Sequence, residues 1–202
     1  MTPGPAVVIR PARFRDVPAI CELVNRLAAT DLMLARTPES VYACLDDFLV
    51  AEVGEHFAGC GALKVWSRDL GEVRSLAVDP EQRRHGLGRR LVDELAQIAV
   101  GRGLKLLFAF TLVPGFFDKL GFTVVGHESL PQKVFTDCLA CPKFEKCDEI
   151  AMVRVLQEGH VMPDLELAEH IRAMLPRRRP VAEVPEGGLT APLRPDGGGG
   201  GN

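Results

Sequence analysis

Arg83-x-x-Gly86-x-Gly88 is the segment of this 202-residue chain whose residue types and spacing point most directly to chemistry. Glycines let backbone N–H groups approach a ligand closely, and a helix that begins at such a turn adds the partial positive charge of its dipole. Arg83, Arg84 and Arg89 bring full charges suited to phosphate oxygens. The segment therefore predicts an anion site for a phosphate-bearing ligand. Two common ligand motifs are excluded by spacing. GxGxxG is broken because Gly86-Leu87-Gly88 is followed by Arg89-Arg90-Leu91, and GxxxxGK[ST] does not occur. A second set is Cys138-x2-Cys141-x5-Cys147, three thiolates that a zinc ion would complete with Asp137, Asp148 or His127. It lacks a second C-x2-C or a His pair, so free thiols are the expectation and no metal is assigned.

The elements that must position the anion loop are legible around it. Glu72-Val73-Arg74-Ser75-Leu76-Ala77-Val78 reads as a strand, and Asp79-Pro80 ends it, because Pro cannot continue a ladder. After the loop, Leu87, Leu91, Leu95 and Ile98 form one helical stripe with Val92 and Ala99 beside it, and Gly101-Arg102-Gly103 stops the helix. Upstream, Val7 to Arg10 predicts a first strand and Val17 to Leu27 a helix with Asp16 as its cap. Thr37-Pro38-Glu39 opens a second helix carrying Val41 and Leu45. Phe48 to Val53 and Phe57 to Trp66 predict antiparallel strands about the turn Gly54-Glu55-His56. Downstream, Leu104 to Phe110 is a continuous apolar run, as in a strand covered on both faces. A short helix over Pro114 to Leu120, a strand from Phe122 and a closing strand over Ile150 to Leu156 follow. The predicted fold class is α/β in one unit over residues 1–156. Residues 157–176 predict an amphipathic helix, with Leu165, Ile171 and Leu175 among its apolar positions. Residues 177–202 form a Pro/Gly-rich tail expected to be disordered.

Composition narrows the functional classes. With 47% apolar residues the chain can bury one full core. A net charge of −3 gives no general attraction to nucleic acid or to an anionic membrane. The longest apolar stretch, Leu104 to Phe117, is short of a membrane span and carries Lys105 and Pro114. Six cysteines without a secretory leader predict reduced thiols and a cytoplasmic protein.

Leu76-Ala77-Val78-Asp79-Pro80 followed by Arg83-x-x-Gly86-x-Gly88 resembles the acetyl-CoA signature of the GNAT N-acetyltransferases. The segment Gly115-Phe116-Phe117-Asp118-Lys119-Leu120-Gly121-Phe122 is similar to that family's F-Y-x-K-x-G-F helix. Three further stretches resemble the short bacterial N-acetylglutamate synthases, GNAT domains that stand without an amino-acid-kinase domain. These are Leu34-Ala35-Arg36-Thr37-Pro38-Glu39, Leu130-Pro131-Gln132-Lys133-Val134-Phe135, and Cys138 to Phe144 with Cys147-Asp148-Glu149. The resemblance implies a GNAT fold, with a mixed, mostly antiparallel central sheet flanked by helices. It implies acetyl-CoA as cosubstrate and transfer of acetyl to the α-amine of L-glutamate, the first step of arginine biosynthesis. Residues Leu76, Ala77, Val78, Arg83, Arg84, His85, Gly86, Leu87, Gly88 and Arg89 would then hold the cofactor.

Acetyl transfer needs a neutral amine, a site for the developing oxyanion and a route out for the thiolate. Glu72, opening the strand that runs beside the acyl group in this family, is the expected proton acceptor. Backbone N–H groups around Leu76 to Val78 would polarise the thioester carbonyl. The position resembling the family's usual Tyr acid is Phe117, which cannot donate a proton, and the only tyrosine, Tyr42, lies in an earlier helix. Water, Ser75 or no acid at all is expected there, since a thiol of pKa about 8.5 is an acceptable leaving group. Arg36, Arg74 and Lys133 are the expected partners of the substrate carboxylates, Arg74 sharing a strand face with Glu72. Two other readings stay open: acetylation of a different small amine or a protein N-terminus, and a non-catalytic acyl-CoA-binding module. A homodimer is compatible with the sequence.

Overall fold

The computed structural model describes residues 6–157, so the expected helix at 157–176, apart from its first residue, and the tail at 177–202 lie outside the described residues. Seven strands form one sheet in the order β1-β2-β3-β4-β5-β7-β6. They are β1 (Val7–Pro11), β2 (Phe48–Val53), β3 (His56–Val65), β4 (Leu70–Val78), β5 (Leu106–Thr111), β6 (Thr123–Val125) and β7 (Ile150–Val155). Every neighbouring pair is antiparallel except β4 and β5. The helices are α1 (Val17–Ala28), α2 (Pro38–Tyr42), α3 (Leu87–Gly101), α4 (Pro114–Asp118) and the single turn α5 (Pro131–Lys133), which runs into a π-helical turn at Val134–Cys138.

Both faces of the sheet are covered, as the unbroken apolar run of β5 requires. On one face α3 contributes Leu87, Leu91, Val92, Leu95, Ala96 and Ala99, packed with Leu63, Val73, Leu107 and Ala109. The opposite face carries two separate apolar clusters. One joins α1 and α2 to Phe48, Val50, Cys60, Ala62 and Ala77. The other joins Leu130 to Leu70, Leu106, Phe108, Ala151 and Val153. Between them the strand faces are charged. Register pairs Lys64 with Glu72 and Ala62 with Arg74, so Lys64, Glu72 and Arg74 share the face that Leu70 also uses.

A second irregularity sits at the same place. β4 and β5 pair over only three positions, Leu70↔Leu106, Gly71↔Leu107 and Glu72↔Phe108. Both strands continue, β4 to Val78 and β5 to Thr111, with no strand between them. The β3–β4 register also slips between Cys60 and Ala62, and Ser75 there has φ +51, a left-handed conformation rare for a residue with a Cβ. This bulge increases the local twist and turns the C-terminal half of β4 away from β5. Gly59 permits the close approach: a Cβ there would lie 2.8 Å from the Ala77 carbonyl oxygen.

Several expected boundaries shift. The helix expected to carry both Val41 and Leu45 ends at Tyr42, and Leu45–Asp47 form a separate 3-10 turn. β4 begins at Leu70 rather than Glu72, and β5 at Leu106 rather than Leu104. β7 inserts between β5 and β6, and the connection from Gly126 to Glu149 crosses the charged face.

Candidate active site

Glu72 is almost fully enclosed, at 2% exposure, so its carboxylate must find partners within the protein. It finds two. Trp66 Nε1 donates to Oε2 at 2.9 Å, and the Lys133 ammonium lies 2.8 Å from Oε1. Trp66 is itself fixed, with its ring tilted against Phe108 at 6.2 Å and the Lys64 ammonium 3.6 Å above its face. Lys133 reaches Glu72 because Leu130, three residues earlier, is buried in the β5–β7 cluster and anchors the α5 turn. Asp137 completes a chain of alternating charge, 3.0 Å from Lys133 and 3.2 Å from Lys64. Burial alone would lower the Lys133 pKa, but Glu72 and Asp137 outweigh it and hold the ammonium above its ordinary range. Burial likewise pushes the Asp137 carboxyl up, and Lys133 and Lys64 bring it below its usual value.

A cationic wall faces this chain from the α1–α2 side. Arg36 is brought to β4 by Asn25, which receives the Arg36 backbone N–H at 2.8 Å and donates to its carbonyl at 3.0 Å. The Arg36 guanidinium then lies 5.9 Å from the Phe48 ring, with Nε donating to Ser75 Oγ at 3.3 Å. Among the described residues its Nη2 is buried with no hydrogen-bond partner. Burial, reinforced by the positive charge of Arg74, presses the Arg36 guanidinium below its ordinary range. Arg74 Nη2 approaches the Cys44 sulfur at 3.9 Å. An enclosed guanidinium with an empty donor beside a second arginine is an arrangement an anionic ligand would complete.

The anion loop lies at the far end of β4. Asp79 caps the 3-10 turn Pro80–His85 by accepting from Glu81 N–H at 3.0 Å, and Arg26 ties Asp79 to α1 at 2.7 Å. The backbone of Arg83, Arg84 and His85 belongs to this turn. Gly86 takes φ +63 as N-cap of α3, a conformation suited to glycine. The first helical bond runs from Arg90 N–H to the Gly86 carbonyl, leaving the N–H groups of Leu87, Gly88 and Arg89 outside the helix ladder. A Cβ on Gly88 would come within 3.2 Å of the Phe116 ring. The Arg89 side chain is mostly exposed, 3.6 Å from Asp93. Leu76, Ala77 and Val78 join bulge to loop, and from Val73 onward the β4 edge facing β5 has no strand partner.

The structure thus brings Glu72, Lys133, Arg74, Arg36 and Ser75 to one face, with the Gly86–Arg89 start of α3 following the end of the same strand. Lys133, expected to hold a substrate carboxylate, is already matched by Glu72 and Asp137. Tyr42 stays outside the site, exposed against Phe14 at 5.9 Å. Phe117 is buried between Phe116 and Phe122. Cys138 is buried, Cys141 and Cys147 are partly exposed free thiols, and no group of three or more metal-ligating side chains occurs among the described residues. Asn25, Lys64 and Trp66 escape sequence reasoning, and Asp137, named there only as a possible zinc ligand, serves instead as the ion-pair partner of Lys64 and Lys133. The only signal of Asn25, Lys64 and Trp66 is a polar residue on an otherwise apolar strand or helix face, and that has many ordinary explanations.

A sheet split beside a bulge, with a glycine-started helix after the split strand, is the arrangement of the GNAT acetyltransferases. Residues 21–122 match the Acetyltransferase (GNAT) family, and the chain belongs to it. An uncharacterized N-acetyltransferase of Chlorobaculum tepidum is 38% identical over 154 residues, covering 76% of this chain and 99% of that protein. An amino-acid acetyltransferase of Mycobacterium tuberculosis is 35% identical over 161 residues, 78% of this chain and 88% of its own length. Among solved structures, N-acetylglutamate synthase from Neisseria gonorrhoeae complexed with coenzyme A and N-acetyl-glutamate superposes with TM-score 0.70 at 29% identity. The match covers 76% of this chain but 36% of that one. Among the described residues, no helix is long and apolar enough to cross a membrane.

Proposed function

We propose that this protein transfers acetyl from acetyl-CoA to the α-amine of L-glutamate, the first step of arginine biosynthesis. The buried, unpartnered Nη2 of Arg36 carries the substrate assignment. A dicarboxylate supplies the acceptor that this donor lacks, and Arg74 stands beside it for the second carboxylate. A cationic amine would instead be repelled by both arginines, since burial and Arg74 already strain the Arg36 charge. The amino-acid acetyltransferase relative and the synthase complex with N-acetyl-glutamate support the same class.

In this reading the pyrophosphate of acetyl-CoA sits at the α3 N-terminus, on the N–H groups of Leu87, Gly88 and Arg89, with Arg83, Arg84 and His85 flanking it. The acyl group enters the gap between β4 and β5. There the unpaired backbone of β4 around Leu76, Ala77 and Val78 accepts the oxyanion. The amine reaches the thioester from the charged face. A carboxylate of the cluster takes its proton, and the thiolate departs without a tyrosine acid.

Thiol release from acetyl-CoA, followed against a panel of amino acids and polyamines, tests the assignment. Glutamate should be the preferred acceptor and glutamine poorer. Preference for spermidine or another cationic amine would refute it.

A further inference from the structure

The Lys133 ammonium fills a place built for a cation. Glu72 Oε1 lies 2.8 Å from its Nζ and Asp137 Oδ2 lies 3.0 Å from it. The Trp66 and Phe110 ring centroids each stand 5.8 Å from Nζ. Trp66 also donates to Glu72 Oε2, so the carboxylate stays fixed whichever cation meets Oε1. The Glu72 side chain is 3% exposed and that of Lys133 15%, so a ligand cannot pair with Oε1 while Lys133 holds it.

An amino-acid acceptor brings the same group. Its α-amine is mostly protonated at neutral pH. Arg74 lies two residues from Glu72 on the same strand face, roughly 7 Å along it by the rise of a strand. A carboxylate held at Arg74 therefore places the substrate ammonium within reach of Glu72. Glu72 and Asp137 are already matched by Lys133 and by Lys64, 3.2 Å from Asp137. The arriving ammonium gains one of these carboxylates only by displacing a lysine.

We propose, resting on the amino-acid acetyltransferase reading, that Lys133 occupies the subsite of the substrate ammonium and that the substrate displaces it from Glu72 onto Asp137. Lys133 is then an internal competitor. Asp137 is a positioning residue: four residues on from Lys133 and already in contact with Nζ, it keeps the displaced ammonium paired. The apparent affinity for the amino acid is the intrinsic one reduced by the fraction of molecules in which Lys133 has left Glu72. Acetylation removes the charge from the substrate nitrogen, so Lys133 returns to Glu72 and favours release of the product.

Isothermal titration of L-glutamate and of N-acetyl-L-glutamate, each with CoA present, reads this exchange. The two ligands carry the same carboxylates, and only the first has an ammonium. Lys133→Met should tighten glutamate binding at least roughly tenfold, as for one charge-assisted contact, and leave N-acetyl-L-glutamate unchanged. Asp137→Asn should weaken glutamate by a similar factor, because the displaced lysine then loses its carboxylate, again with N-acetyl-L-glutamate unchanged. In the Lys133→Met background Asp137→Asn should have no effect, whereas a merely structural Asp137 would act in both backgrounds. If thermal unfolding shows that Lys133→Met does not fold, Asp137→Asn and Asp137→Glu decide alone, the latter restoring wild-type binding. The proposal is overturned if Lys133→Met weakens glutamate or leaves it unchanged, if both ligands shift together, or if Asp137→Asn binds glutamate as the wild type does. A wild type that prefers another amine refutes the glutamate assignment alone, and the same titrations with that amine and its acetyl product then decide on Lys133. A wild type that acetylates no amine sinks both.

Discussion

Replacing Arg36 with methionine separates binding from stability in a way few substitutions at a site do. The sulfur-containing side chain keeps the stem over Phe48 and removes the guanidinium. In the presence of substrate, one charge-assisted partner is lost, worth about 1.5–3 kcal/mol, or roughly a 10- to 150-fold fall in kcat/KM for glutamate. In the unliganded protein the balance differs. Nη2 is buried with no acceptor, which costs about 1–3 kcal/mol, and Arg74 adds like-charge repulsion. Set against this are the 3.3 Å contact to Ser75 and the guanidinium over Phe48, at about 0.5–1 kcal/mol for the latter. The unliganded variant should therefore unfold at the wild-type temperature or a few degrees above it. A domain of this size moves by about 2–4 °C per kcal/mol. Thermal scans with and without glutamate, beside steady-state kinetics in each substrate, read both quantities. A large loss of unliganded stability with glutamate kinetics intact would make Arg36 structural. An equal rise in KM for acetyl-CoA would refute the division of the site.

Gly88→Val should raise the acetyl-CoA dissociation constant at least tenfold, since its Cβ meets Phe116 at 3.2 Å and its branches crowd the α3 N-terminus. Isothermal titration with CoA checks this, and unchanged affinity would clear the loop of that role. Lys133→Met leaves Glu72 buried with only Trp66, and breaking a buried pair this way costs about 3–5 kcal/mol. Because Glu72 and Asp137 hold the Lys133 pKa above 10.5 against burial, its stability contribution is present below pH 10.5. It is lost as pH rises through the folded-state value. Wild type should therefore lose stability in strong alkali more steeply than the variant. Parallel denaturation curves across that range would contradict the pairing.

Local chemistry is what the sequence by itself determined. The Asp79-Pro80 stop, the Gly86 turn and the Leu87–Leu95 stripe are short-range features, each set by backbone sterics or one helical period. All three stand in the structure where the residues put them. The continuous apolar run of β5 likewise announced a strand covered on both faces. Periodicity does not say which strand lies beside which. That β7 enters between β5 and β6 and that β4 parts from β5 after Glu72 depend on long-range pairing and on the bulge at Ser75. Tertiary structure also decided which charges remain available to a ligand. Arg36, Arg74 and Lys133 are each a cation in a suggestive segment of the sequence, and only Arg74 is tied to Glu72 by spacing. Folding spends Lys133 on Glu72 and Asp137, while Arg36, held by Asn25 and Phe48, keeps a donor that no described residue satisfies. The partner of a buried charge is fixed by distance in space, and no spacing along the chain encodes it.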